Sequence, residues 1–370
     1  MFLRIKNIKL FFLRIVKIFI YVIYMDLKYN IYINWYKMHI FITGVAGFLG
    51  SNLADHFLKK GFKVSGNDSL IGGDKKNLDP RVNFYKYDCE DIKKNLKFYQ
   101  DVDVVVHAAA IAHEGLSVFS PYMITKNVLA GSVAVFTAAI EKKVKRIVYC
   151  SSMARYGNIE QPYREIDNPR PVDPYGIAKL AAEKVLINLA NTHGIEYNIA
   201  IPHNIIGVKQ KYDDPFRNVA SIMINMMLQN RRPIIYGDGE QTRSFSDVYD
   251  CIYCLDKLTT DKNVVSEIFN IGPDENYMTI NDLFKKISNI IKFNQEPIYY
   301  PDRPNEVKYS NCSADKARKI LGYKTKFDVD KSLNKMVEYV KKNGPKKFNY
   351  NYKIEINNHL TPETWSKKIF

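Results

Sequence analysis

The sequence predicts a doubly wound α/β fold, a parallel sheet covered by helices on both faces, followed by a smaller mixed domain. Three observations carry this. Short apolar runs alternate with amphipathic helical stretches from Met38 to Ile201. The first run leads through a glycine-rich turn straight into a helix, and beyond Ile206 the alternation loosens. At 370 residues, 46% hydrophobic and 25% charged, the chain has material for a large core, which excludes disordered and collagen-like classes.

The folded unit is expected to begin at Met38. Residues 1–37 hold seven Lys or Arg against Asp26, and their apolar stretch Leu10–Met25 is broken by Arg14 and Lys17. Its uncharged part, Ile18–Met25, is far shorter than the ~20 residues that span a bilayer. The segment reads as an appendage. A basic interfacial helix is the competing reading, and membrane contact is expected only in that case.

From there the elements follow in order. His39–Thr43 is the first strand, and Phe48–Lys60 has helical spacing with Leu49, Leu53, Phe57 and Leu58 on one side. Lys63–Asn67, Val82–Tyr87 and Val102–Ala108 read as strands, Ser120–Lys142 as a long helix, Arg146–Cys150 as a strand, Pro174–Asn191 as a second long helix and Tyr197–Ile201 as a sixth strand. Residues 38–205 thus form the first domain. Residues 206–344 form mainly the second, with helices over Phe216–Gln229, Thr279–Ile291 and Ser313–Leu321 and a brief strand at Ile234–Tyr236. Within it, 245–272 is expected to return to the main sheet through a strand at Ile268–Ile271. Residues 345–370 form a basic tail rich in Asn and Tyr, to which the sequence assigns no role.

The turn after the first strand is Gly44-Val45-Ala46-Gly47-Phe48-Leu49-Gly50. In this strand–turn–helix context Gly44 permits the turn, Gly47 lets backbone approach a pyrophosphate at the helix N-terminus, and Gly50 allows close helix–strand packing. Read alone, it also fits a plain strand–helix turn. Asp68, 24 residues after Gly44 and followed by Ser69, can accept hydrogen bonds from both adenosine ribose hydroxyls and would repel a 2′-phosphate, so NAD is expected rather than NADP. Asp88, beside Cys89, is in reach of the adenine, and Ala108, Ala109 and Ala110 are small enough for a cofactor to lie against the backbone.

Tyr175 and Lys179 are four apart on a predicted helix and share a face. A neighbouring ammonium is expected to lower the phenol from its usual pKa of about 10 and make Tyr175 a general base. Ser152, just past the fifth strand at the carboxyl end of the sheet, can bridge a substrate and Tyr175. A lone Tyr-x-x-x-Lys fits a solvated helix face equally well; joined in chain order to the glycines, Asp68 and Ser152, it does not.

With His107-Ala108-Ala109-Ala110, Asn127, Ser151-Ser152-Met153-Ala154-Arg155-Tyr156-Gly157, Pro202-His203-Asn204, Gly237 through Phe245 and Arg303-Pro304-Asn305-Glu306 added, the sequence resembles the extended short-chain dehydrogenase/reductases. More narrowly it resembles the NAD-dependent nucleotide-sugar epimerase/dehydratase family, from about Met38 to Tyr323. The resemblance implies a Rossmann-like domain with a smaller substrate domain, and NAD contacts from Gly44, Gly47, Phe48, Leu49, Gly50, Asp68, Ser69, Asp88, Cys89, Ala108 to Ala110, Asn127, Tyr175 and Lys179. His203 would touch the nicotinamide, a packed histidine being the alternative. It also implies that Asn204, Asn218 with the adjacent Val219, Arg243 and Arg303 hold the substrate's diphosphate, and that Glu306 binds the uridine ribose. Ile206 and Val208 depart from the Tyr and Pro often found there, and Ala112 stands where some epimerases place a lysine.

Dehydrating relatives carry Asp and Glu directly after the active-site Ser or Thr, where this chain has Met153 and Ala154. The expected activity is therefore inversion of C4 of a UDP-hexose through a 4-keto sugar, with Ser152, Tyr175 and Lys179 catalytic. A 4,6-dehydratase or decarboxylase using another acid is the alternative enzyme, and a non-catalytic, basic, RNA-binding NAD fold is the alternative prompted by the net charge of +15. Cys312, two residues before Ala314-Asp315, falls where related epimerases place the residue that decides whether an N-acetyl sugar fits. The family commonly pairs its two long helices into a homodimer, so a homodimer is expected here. The five scattered cysteines suggest a reduced, cytoplasmic protein, and Cys251-x-x-Cys254 lacks the further ligands of a metal site, so neither metal nor nucleic acid is expected.

Overall fold

Parallel strands buried on both faces read as continuous apolar runs, and His39–Thr43 is buried at every position. This strand, β1, is joined by β2 (Lys63–Asp68), β3 (Asn83–Lys86), β4 (Val104–His107), β5 (Arg146–Cys150) and β6 (Glu196–Pro202). The computed structural model describes residues 37–275 and 277–370 together with Lys17, Ile20 and Tyr21. The appendage and interfacial-helix readings of 1–37 otherwise lie outside the described residues.

Short strands follow: β7 (Ile205–Ile206), β8 (Ile234–Tyr236), β9 (Thr242–Arg243) and β10 (Ser246–Asp247). Then come β11 (Glu267–Ile271), β12 (Met278–Thr279) and β13 (Ile298–Tyr300). The main sheet has seven strands in the order β3-β2-β1-β4-β5-β6-β11, so the segment after residue 245 does supply a strand to it. β7 pairs with β10, β8 with β13 and β9 with β12.

Register decides where function can sit. Thr43 lies opposite Asn67 on one side and His107 on the other, and His107 lies opposite Tyr149. The residues that follow, Gly44, Asp68, Ala108 and Cys150, therefore leave the sheet along one edge. That edge lies at the carboxyl ends of the strands, where chain order reverses between β1 and β4 and a crevice opens.

The helices are built to hold side chains at that crevice. Helix Pro174–His193 starts on Asp173, whose carboxylate accepts from the Gly176 amide at 2.8 Å, has Pro174 in its first turn and stops at left-handed Gly194. Tyr175 and Lys179 thus occupy its first two turns. The long helix Pro121–Glu141 contains a π turn at Lys126–Ala130, which aims the Asn127 side chain at the Ile111 amide, 2.8 Å away. Helices Val219–Leu228, Ile280–Ile291 and Val329–Asn343 pack around Met223, Leu283, Ile287, Leu333 and Val337. The last of these was absent from the sequence reading: its Leu333, Met336, Val337 and Val340 form one face, set among many lysines. Cys251 and Cys254 are core residues of helix Val248–Thr260.

Gly50 carries the tightest approach. A Cβ there would sit 2.2 Å from the Gly44 carbonyl oxygen, and Gly44 itself holds φ +68°. Gly50→Ala must therefore move backbone, and we expect a loss of about 1–3 kcal/mol in urea unfolding together with weakened NAD binding. An unchanged midpoint and unchanged NAD affinity would contradict this packing.

Candidate active site

All the expected contact residues except His203 and Cys312 line one cavity of about 470 Å³ along the crevice. Its volume falls within the range usual for small-molecule sites. One end lies over Gly44, Gly47 and Gly50. The other reaches Arg243, Arg303 and Glu306.

The first end fits NAD. The Asp68 carboxylate accepts from the amides of Ala46 (3.1 Å) and Leu70 (2.7 Å), and a Cβ at Gly73 would crowd it at 2.7 Å. A glycine there keeps the carboxylate open to a ribose. Burial raises the pKa of Asp68, against the pull of those amides and of Arg217. The Ala109 amide donates to Thr43 Oγ1 at 3.1 Å, which holds the alanine run against the glycine turn.

At the middle of the cavity Ser152 begins a single 3₁₀ turn, its Oγ accepting from the Ala154 amide at 3.2 Å, and it lines the cavity together with Tyr175. Lys179 is 3% exposed, and its Nζ donates to the Cys150 carbonyl at 2.7 Å while standing 5.8 Å from the centre of the Tyr175 ring. Burial brings its pKa down to about 8. The expected lowering of the Tyr175 pKa is corrected here. Burial first, then the negative charge of Glu114, push the phenol above its ordinary value. The ammonium faces a backbone carbonyl and the Tyr175 ring.

Two guanidinium groups converge at the far end. Arg303 donates twice to the Glu306 carboxylate, at 3.0 and 2.9 Å, and Arg243 lies 3.7 Å from it. Asn218 caps helix Val219–Leu228, accepting from the Ala220 amide at 3.0 Å, and so presents a helix N-terminus to the same space. The Asn204 side-chain Nδ2 donates to the Ser244 carbonyl at 3.2 Å.

His203 and Cys312 require correction. His203 is 2% exposed and off the cavity wall; its ring packs against Gly272, behind the edge. Cys312 is 1% exposed, bridged to Tyr163, and packed in the core cluster with Met153 and Tyr156, whereas Ser310 lines the cavity. In a regular strand residues two apart share a face; the irregular backbone here instead turns Cys312 inward and leaves Ser310 at the cavity.

Glu114, Arg217, Tyr352 and Phe370 also line the cavity and were not anticipated. Glu114 is accessible from the cavity, but the protein mass around it withholds much of its hydration and pushes its pKa up to about 7, with Asp173 adding to the rise and Arg243 and Arg303 opposing it. It opens the short helix Glu114–Ser117, outside every motif. For Tyr352 and Phe370 the one available signal was the aromatic content of the tail.

The residue pattern of the NAD dependent epimerase/dehydratase family matches residues 40–272. The chain belongs to that family. A putative UDP-glucose 4-epimerase from Methanocaldococcus jannaschii is 35% identical, over 82% of this chain and 99% of its own length. The solved UDP-glucose 4-epimerase of Thermotoga maritima with UDP-glucose superposes with a TM-score of 0.78 at 31% identity, covering 83% of this chain and 99% of that one. A UDP-N-acetylglucosamine 4-epimerase from Methanobrevibacter ruminantium gives 0.78 at 28%, with the same coverage.

In this family member Glu114 supplies a test of the electrostatics. Its raised pKa means that folding is opposed by its ionisation, fully so above about 7 and not at all below the unfolded value of 4.5. Glu114→Gln is expected to raise the melting temperature at pH 8 and leave it unchanged at pH 4. Removing the charge that faces Tyr175 should also move the rising limb of the activity profile to lower pH. Equal melting shifts at both pH values with an unmoved profile would contradict this account.

Proposed function

We propose that the protein is an NAD-dependent epimerase that inverts C4 of a UDP-hexose. The observation that carries this reading is one cavity holding Ser152, Tyr175 and Lys179 between a dinucleotide cradle and a pair of arginines. Bound NAD supplies the hydride acceptor and a positive charge beside the phenol. Tyr175 takes the proton of the 4-hydroxyl, with Ser152 holding that oxygen and Lys179 favouring the phenolate. Burial favours the protonated phenol, so Tyr175 needs positive charge nearby to act as a base. Arg243, Arg303 and the helix N-terminus at Asn218 grip the diphosphate. The sugar is thereby left free to turn and offer its other face to the returning hydride, and Tyr175 returns the proton.

Ser310 on the cavity wall is small, which supports acceptance of UDP-N-acetylglucosamine as well as UDP-glucose. Exposed Tyr122 and Ile177, on the two long helices, support pairing of two copies through those helices. The five free, buried cysteines support a reduced compartment. One observation favours a second reading: Glu114, protonatable near neutrality and facing Tyr175, is an acid of the kind that elimination of water requires.

Incubation with UDP-glucose followed by mass spectrometry separates the two readings. Epimerisation gives UDP-galactose at unchanged mass, and loss of water would sink the proposal. Tyr175→Phe is expected to lower turnover by about 10²–10⁴-fold while UDP still binds. Near wild-type interconversion in that variant would refute the assigned base.

A further inference from the structure

Relatives matched over 99% of their own length leave about 17% of this chain unmatched, the share that 1–37 and 345–370 make up together. The tail is nonetheless stitched into the fold. The Lys346 amide donates to Asn225 and the Asn349 amide to Asp213, while those of Glu355 and Ile356 share the Phe119 carbonyl. The Glu355 carboxylate caps helix Pro121–Glu141, accepting from the Tyr122 and Met123 amides at 2.9 and 3.1 Å. At the end of this path Trp365, 2% exposed, packs edge-on to Phe216 and Phe119.

Trp365 ends beside the anion grip. The Arg303 guanidinium is 4.7 Å from the Tyr236 ring centre and 5.9 Å from that of Trp365, while Glu306 occupies its Nε and one terminal nitrogen. The other terminal nitrogen borders Gly115, where a Cβ would stand 3.3 Å from Trp365 and 3.4 Å from Arg303. The Tyr236 hydroxyl is in turn hydrogen-bonded to Thr364, the neighbour of Trp365. Both aromatic contacts of Arg303 thus depend on the tail.

We propose that the carboxyl-terminal tail is part of the substrate grip, with Trp365 a positioning residue that orients Arg303 toward the diphosphate. The proposal rests on the reading that Arg303 binds that diphosphate. A long, flexible arginine loses rotamer freedom on binding an anion; an arginine already fixed by a carboxylate and two rings does not. Such contacts strengthen when removed from water.

The test titrates UDP into the full-length chain by calorimetry. Trp365→Leu keeps apolar bulk and removes the aromatic face, and Trp365→Phe keeps a face. The Leu variant is expected to weaken UDP binding about tenfold and the Phe variant less than about threefold. KM for the UDP-sugar should rise in parallel while kcat changes little. In an Arg303→Ala background neither substitution should weaken UDP further. Thr364→Val, which frees the Tyr236 hydroxyl, is the second variant should the Leu variant not fold, and the same dependence on Arg303 is expected of it. Equal losses in the Leu and Phe variants, or losses that persist without Arg303, would overturn the proposal. A wild-type chain that binds UDP in this pattern but leaves UDP-sugars unchanged would refute the epimerase reading and keep this one.

Discussion

The site depends first on how closely helix Phe48–Lys59 approaches the first strand. With 2.2 Å between a Gly50 Cβ and the Gly44 carbonyl, only hydrogen fits, and that contact sets the depth at which the helix N-terminus faces the crevice. The level strand ends carry the same constraint outward. Gly44, Asp68, Ala108 and Cys150 all emerge along one edge because Thr43, Asn67, His107 and Tyr149 are in register. A shift of one residue in any of these pairs would turn its side chains to the opposite face and empty the edge of its polar groups.

Burial then determines the chemistry more than neighbouring charge does. Lys179 is displaced downward and Tyr175 upward because both sit where water is scarce, and their separation along the helix leaves the ammonium beside the ring. Arg155 and Glu183 form a second buried pair, with Ser151 hydrogen-bonded to Glu183, so the turn that carries Ser152 is anchored from beneath. A charge brought by a ligand acts strongly in such surroundings.

Much of this was legible before any coordinates. The Gly44-Gly47-Gly50 spacing, the offset of Asp68 and the Tyr175–Lys179 pair are local patterns, and local patterns survive in a linear string. Cys312 was misplaced because its role depended on the path of an irregular segment, whose backbone sends Ser310 to the cavity and Cys312, two residues on, to the core. The expected lowering of the Tyr175 pKa failed because burial is a property of the whole fold, and no spacing rule reports it. The tail was opaque for the same reason: Trp365 has no motif, and its partners Phe119, Phe216, Tyr236 and Arg303 come from four distant parts of the chain.

The π turn at Lys126–Ala130 has a mechanical side. Ile124, before it, and Val128, within it, belong to the aromatic cluster around Trp365, while Val135 and Phe136, past it, belong to the core beneath the sheet. A uniform helix would advance its apolar stripe by a constant angle, and the wider turn resets that angle between two cores. One continuous rod therefore splints the tail-bearing side of the molecule to the nucleotide-binding sheet.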